Sequence, residues 1–283
     1  MAKIMTPAAE WPRRVTQAQR TMPAAVKLVV TRLDHTIGTI TFNHPTKRNS
    51  IGKHFADDLV AAFDELERAT AQVVVLRAMP GARIWSAGHD ITELPMGRDP
   101  LGYQDPLDRV LRRVQDCPVP VIAMVEGSVW GGATDLCISC DMIVCSAETT
   151  FALTPAKIGV PYSASGLIRF LAALGPHKAK ELLFTAQPIS AQAALQARMV
   201  NHVVPRDELE AFTYGLAETI TNNAPLAVQV LKQQFRLLLQ SQTLAPETFE
   251  RIQGMRRTVY ESQDYQEGLQ AFKEKRPPDF RGR

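Results

Sequence analysis

Residues 120–144 read PVIAMVEGSVWGGATDLCISCDMIV. The stretch opens on Pro120–Val125, an apolar run of the length and β-branched character of a strand covered on both faces. A glycine-bearing turn follows, then a helical pattern over 132–139, then a second short strand at Met142–Val144. Strand, helix and strand in that order imply an α/β fold whose sheet is at least partly parallel.

Working outward, Lys27–Leu33 and Thr36–Phe42 pattern as two strands joined at Asp34-His35. From about Ser50 a helix is marked by Phe55, Leu59, Phe63 and Leu66, spaced three or four apart. Val73–Leu76 reads as another buried strand, and Pro106–Val114 as a helix. Beyond residue 163 helical patterns dominate, over 164–174, 176–185, 190–197, 207–222, 225–240 and 246–259. Ser190 fits an N-cap, and Pro225 and Pro246 sit near helix starts. Met199–Val204 reads as a late strand, and KEKRPPDFRGR closes the chain as a basic, proline-broken tail.

The predicted organisation is a flexible extension over 1–25, an α/β core over 26–205, and a C-terminal helical region with the basic tail over 206–283. The last helices need something large to pack on, either the chain's own sheet or a neighbouring subunit.

Composition is that of an ordinary globular chain: 283 residues, 45% hydrophobic and 22% charged. A net charge of +3 is too small to mark a nucleic-acid surface. No run approaches the roughly 18 apolar residues of a membrane span. The N-terminal segment lacks the continuous apolar core of a secretory signal. Cys117, Cys137, Cys140 and Cys145 include a C-x-x-C, but with no second pair and no histidine at ligand spacing they read as small buried hydrophobes. The expectation is therefore no metal, and a reducing, cytoplasmic setting.

Two segments carry candidate chemistry: Trp85-Ser-Ala-Gly-His-Asp-Ile91, and the Glu126–Ala133 turn of the opening stretch. A glycine at a helix start lets a ligand approach the backbone, and the amides of a first turn lack internal partners. The Gly132 amide thus suits a negatively charged oxygen. If the Gly88-His89 loop reaches the same oxygen, the two amides make an oxyanion hole.

The order SAGHDI, VEGSVWGGATDLCISCDMIV, TPAKIGVPYSASG resembles the crotonase (enoyl-CoA hydratase/isomerase) superfamily. The resemblance runs from about residue 26 to the end and includes the loop Asn43–Asn49 and Ala224–Ala227. FERIQGMRR and DYQEG are most similar to the branch that decarboxylates methylmalonyl-CoA. The resemblance implies a ββα superhelix with C-terminal helices that build trimers, often paired into hexamers. It implies that the backbone amides of His89 and Gly132 bind a thioester oxygen. It places Lys47, Arg48, Ala87 and Lys273 or Lys275 along the CoA arm, and Asp90, Ile91, Trp130 and Gly131 around the bound substrate. No nucleic-acid or membrane partner and no cofactor is implied, CoA being part of the substrate.

Hydratases of this superfamily use two glutamates. Here Asp135 stands at the first position and Pro155 at the second. General acid–base catalysis needs a proton carrier within hydrogen-bond range, so hydration is disabled on this reading. Decarboxylation of a malonyl-type thioester needs no base, because the substrate carboxylate supplies the electrons and the two amides hold the enolate. A protein carboxylate beside it would repel it. Tyr162 and Thr154 are the expected neutral donors, with Tyr162 or a water it holds protonating the enolate. Tyr162 also reads as a packing tyrosine, Thr154 as an extended residue before a turn, and Asp135 as a surface or ion-paired residue. The competing functions are a hydratase or isomerase using Asp135, and a non-catalytic acyl-CoA-binding homologue. A serine hydrolase is disfavoured, since Ser163 and Ser165 near Gly166 form no G-x-S-x-G elbow.

Overall fold

Val29 and Ile40, two of the β-branched residues that pattern the first strands, are buried in a hairpin whose turn residue His35 has a φ of +50°. The computed structural model describes residues 27–95, 99, 102–240 and 244–283, so the extension expected over 1–25 lies outside the described residues.

In chain order the strands are β1 (Val29–Asp34), β2 (Ile37–Phe42), β3 (Val73–Ala78), β4 (Ile84–Ser86), β5 (Val121–Val125), β6 (Ser128–Trp130), β7 (Met142–Ser146), β8 (Thr150–Ala152), β9 (Ile189–Ser190) and β10 (His202–Val204). The helices are α1 (Lys53–Arg68), α2 (Pro106–Asp116), α3 (Gly132–Ser139), α4 (Ala164–Thr185), α5 (Ala191–Gln196), α6 (Leu209–Thr221), α7 (Pro225–Gln240), α8 (Pro246–Tyr260) and α9 (Gln263–Glu274).

The larger sheet runs β1-β2-β3-β5-β7-β10 and is parallel from β2 onward. β3 and β5 are buried at every residue, as strands covered on both faces must be. One face packs on α1, α2 and α3 through Phe55, Leu59, Val110 and Leu136; the other packs on α6 through Leu209 and Ala217.

The smaller sheet runs β4-β6-β8-β9, with β4, β6 and β8 parallel. The chain therefore repeats one unit three times: β3-β4-α2, β5-β6-α3 and β7-β8-α4. This is a ββα spiral. Its consequence for function is geometric. β4, β6 and β8 are parallel neighbours, so the segments that follow them emerge side by side. Those segments are Ala87–His89, Gly131-Gly132 and Leu153–Pro155. Clefts at the carboxyl ends of parallel strands are where α/β folds place their ligands.

Several expectations needed correction. β4, β6, β8 and β9 were not read as strands; at two or three residues each, they are too short to show a period. The helix expected from Ser50 starts at Lys53, because Ile51 makes a β-bridge to His89 instead. The late strand narrows to β10. The helices expected over 164–174 and 176–185 form one element broken at Gly175, whose φ is +67°. α9 was not anticipated, and the basic tail folds back on it: Asp264 accepts from the Arg281 and Gly282 amides at 2.7 and 2.8 Å. The Ser190 cap is observed, its Oγ accepting from Ala193 at 3.2 Å. All four cysteines are buried free thiols.

Candidate active site

The loop after β4 is held from beneath. Ala87 donates to the Arg48 carbonyl at 2.9 Å, Ile51 donates to the Gly88 carbonyl at 2.7 Å, and Asp90 donates to the Ile51 carbonyl at 3.0 Å. Successive amides of an extended segment alternate in direction. With the Asp90 amide turned toward Ile51, the His89 amide faces the opposite side, where α3 begins. Gly88 makes the approach feasible: its φ is +80°, and a Cβ there would lie 2.8 Å from the Gly132 nitrogen. A Cβ on Gly132 would in turn lie 3.4 Å from the His89 nitrogen. Gly132 is the first residue of α3, so its amide has no partner within the helix. Neither amide donates to any acceptor among the described residues. Two amides that follow different strands, neither with an acceptor among the described residues, thus lie close together.

The His89 ring is engaged at both nitrogens. Nε2 lies 2.6 Å from Asp105 Oδ2 and Nδ1 lies 3.1 Å from the Asp90 carbonyl. Both partners can accept, an arrangement that favours the ring with a proton on each nitrogen. Burial pulls its pKa down, but the hydrogen bond and charge of Asp105 outweigh this and the net shift is upward. Asp105 Oδ1 also caps α2, accepting from Leu107 at 2.9 Å and Asp108 at 3.3 Å. One carboxylate therefore ties the His89 loop to the start of α2.

The cavity above the two amides is narrow, about 60 Å³. Its walls are mainly apolar, including Ile91, Leu94, Leu107, Ile158 and Val160. His89, Gly131, Gly132, Thr154 and Tyr162 complete it, and Pro155 occupies the second position at which a glutamate was looked for. The Thr154 hydroxyl lies 3.5 Å from where a Cβ on Gly131 would be, and it makes no hydrogen bond among the described residues.

Asp135 does not line this cavity. It is 1% exposed, so it is no surface residue, and Arg169 grips it with two bonds of 2.7 Å, Nε to Oδ1 and a terminal nitrogen to Oδ2. Such a bidentate, charge-assisted pair is strong and directional. The Tyr162 hydroxyl donates to Asp135 Oδ2 at 2.9 Å. Burial first, and then the Asp135 charge, push the phenol well above the ordinary tyrosine range. In this arrangement the hydroxyl proton points to Asp135, and Tyr162 is among the residues that line the cavity.

The residues expected around the rest of the ligand separate. Lys47 is half-exposed and its Nζ pairs with Asp90 Oδ2 at 2.7 Å. Asp90 is itself buried, outside the cavity wall, and caps the short turn Ile91–Glu93 by accepting from the Thr92 amide at 3.1 Å. Arg48 is exposed in the left-handed region and lines a neighbouring groove with Pro80 and Ala82. Ala87 and Ile91 line the cavity itself. Trp130 does not: its indole donates to Ser128 at 2.9 Å, and alternation along β6 turns it away from buried Val129. Lys273 is exposed on α9. Among the described residues no group of three or more His, Cys, Asp or Glu is placed to hold a metal.

Four supporting residues were missed in the sequence: Asn49, Ser86, Asp105 and Arg169. Asn49 donates to the Trp85 carbonyl at 2.9 Å and Ser86 to the Asn49 carbonyl at 2.7 Å, which fixes the loop before His89. For Asp105 a signal existed, since an aspartate before Pro106 marks a capped helix start. For Arg169 it was a lone basic residue in the otherwise uncharged Ala164–Leu174.

The model of the enoyl-CoA hydratase/isomerase family matches residues 32–283. Methylmalonyl-CoA decarboxylase of Escherichia coli K12 is 49% identical over 247 residues, covering 87% of this chain and 95% of the relative. 2,3-Dehydroadipyl-CoA hydratase of the same organism is 30% identical over 260 residues, covering 91% and 99%. A solved methylmalonyl-CoA decarboxylase in complex with 2-nitronate-propionyl-CoA superposes with a TM-score of 0.89 at 47% identity, covering 90% of this chain and 99% of that one.

Proposed function

The chain belongs to the enoyl-CoA hydratase/isomerase family, and from that premise we propose that it is an acyl-CoA decarboxylase converting methylmalonyl-CoA to propionyl-CoA and CO2. The observation that carries this reading is the state of Asp135. The carboxylate nearest to a hydratase's acid is buried, clamped by Arg169 and outside the cavity. At the second position stands Pro155.

In this reading the thioester oxygen receives the amides of His89 and Gly132. The substrate's C–C bond to its carboxylate breaks, CO2 leaves, and the electron pair becomes an enolate whose oxygen the amides stabilise. Losing one such donor costs about 10²–10³ in rate. The Thr154 hydroxyl is the free donor for the leaving carboxylate. The enolate carbon then takes a solvent proton relayed by a water, which the Tyr162 oxygen can hold by accepting from it, so that methylmalonyl-CoA and one proton give propionyl-CoA and CO2. Of the two expected proton sources, Tyr162 itself or a water it holds, this reading takes the water. The reaction is redox-neutral and balances without a cofactor beyond the substrate's own CoA.

The narrow cavity suits a short acyl group. The CoA arm would leave past Ala87 and the groove beside Arg48, with Lys47 and Lys273 as outer cations. A homotrimer or a dimer of trimers is the assembly this reading carries, its support being the exposed apolar side chains of α7. The core over 26–205, the helical region over 206–283 and a cytoplasmic setting belong to the same reading. Among the described residues no helix is long and apolar enough to cross a membrane.

The test is mass spectrometry of products after mixing the protein with malonyl-, methylmalonyl- and ethylmalonyl-CoA. Decarboxylated thioester is expected. Tight acyl-CoA binding with no CO2 from any of the three would instead make the protein a non-catalytic homologue.

A further inference from the structure

Arg169 lies on the second turn of α4 and outside the cavity, yet it addresses the reacting centre through one intermediary. Its partner Asp135 is one turn into α3, the helix whose first amide, Gly132, faces the cavity. An unpaired carboxylate at that place would work against an enolate arriving at the helix start, because like charges repel strongly in a dry site. The same carboxylate sets the direction of the Tyr162 hydroxyl, since an ionised carboxylate only accepts. We infer that Arg169 is a positioning residue: by cancelling the charge of Asp135 and fixing both its oxygens, it turns the Tyr162 hydroxyl proton out of the cavity, presents the phenol oxygen as an acceptor, and keeps the first turn of α3 open to negative charge. This inference rests on the decarboxylase reading of the site.

The surroundings leave Arg169 with this task. The charged and titratable groups of this network are Tyr162 and Arg169, which touch Asp135, Asp108, which feels its charge, and Asp105, Arg112 and His89 beyond them. Arg112 is paired with Asp108 and His89 with Asp105. Neither of those cations reaches the Asp135 oxygens, which bond to Arg169 and Tyr162.

The experiment compares wild type, Arg169→Met and the double variant Arg169→Met/Asp135→Asn on methylmalonyl-CoA, with kcat and KM followed from about pH 5 to about pH 9. Arg169→Met should lose about 10- to 100-fold in kcat with KM within about threefold. Its kcat profile should also gain a limb that falls with rising pH, as the abandoned Asp135 ionises. Adding Asp135→Asn should remove that limb and return kcat to within about tenfold of wild type. A merely structural arginine would give neither the new limb nor the rescue.

Melting temperatures of the two variants supply a readout independent of turnover. A buried acid without its cation has a folded pKa raised above the unfolded value, so its stability cost grows as pH rises. The double variant should therefore pull ahead of Arg169→Met between about pH 4 and about pH 7. If wild type releases no CO2 from any malonyl-type thioester, the decarboxylase reading fails, and the positioning role with it, while this melting comparison still decides whether Arg169 cancels the charge of Asp135. A gap that stays flat with pH, a wild-type kcat profile in Arg169→Met, or a double variant no faster than the single would each overturn the inference.

Discussion

One methylene separates Asp135 from a glutamate, and Arg169 takes up the oxygens of that shorter side chain. Chemistry at this site is decided by such single groups. Tyr162→Phe keeps the ring packed edge-on against Phe170, 5.3 Å away, and removes only the oxygen. Its decarboxylation kcat should fall about tenfold, one hydrogen bond's worth, with KM little changed; steady-state kinetics check this. Gly88→Ala should be far worse. Its new Cβ would lie 2.8 Å from the Gly132 nitrogen at a φ of +80°, so the two amides must part, and kcat should drop by about 10²–10³. Much at this scale was legible in the sequence. Gly131, Gly132, Pro155, Thr154 and Tyr162 all lie within motifs and all line one cavity. What Arg169 and Asp105 pair with was not legible, because their partners lie 34 and 16 positions away in the chain and no local pattern encodes such a distance.

Among the elements, β4, β6 and β8 bring the three loops together, although each spans only three residues. Strands so short carry no periodicity, which is why the smaller sheet was unreadable while the fully buried β3 and β5 were plain. Two further ties hold the loops in place. The first is the His89–Asp105 pair between the loop after β4 and α2. His89 has its pKa raised by Asp105 against the pull of burial, so the stabilisation is complete below the unfolded value of about 6.5. It fades as pH rises through the folded value. Accordingly the melting-temperature advantage of wild type over Asp105→Asn should be largest at mildly acidic pH and shrink on going alkaline. The second tie is α9, whose Gly268 abuts the turn after Thr154; a Cβ there would meet the Ile158 carbonyl at 2.5 Å. Gly268→Ala should cost about 1–3 kcal/mol in urea unfolding, the range of overpacking, and should displace the Thr154 wall of the cavity.

For the whole molecule, the sequence left the last helices a choice between the chain's own sheet and a neighbour. They divide the work. α6 covers the sheet, and α8 with α9 covers the active-site turn through Tyr260 and Tyr265. α7 is anchored by Lys232 to Asp141 at 2.7 Å, yet it exposes Leu226 at 76%, Phe235 at 66% and Leu237 at 68%. Exposed apolar side chains in that number favour the oligomer proposed above, and no local signal marks α7 as the helix that would carry them. Sedimentation should find an oligomer for wild type and smaller species for Phe235→Glu. The central claim, however, concerns chemistry: converging amides in a cavity without a free acid break a C–C bond and cannot add water. It is tested most directly by giving the purified protein methylmalonyl-CoA and crotonyl-CoA side by side and following both thioesters by mass spectrometry. The account predicts propionyl-CoA from the first and unchanged crotonyl-CoA from the second. Hydration of crotonyl-CoA with methylmalonyl-CoA left intact would contradict it.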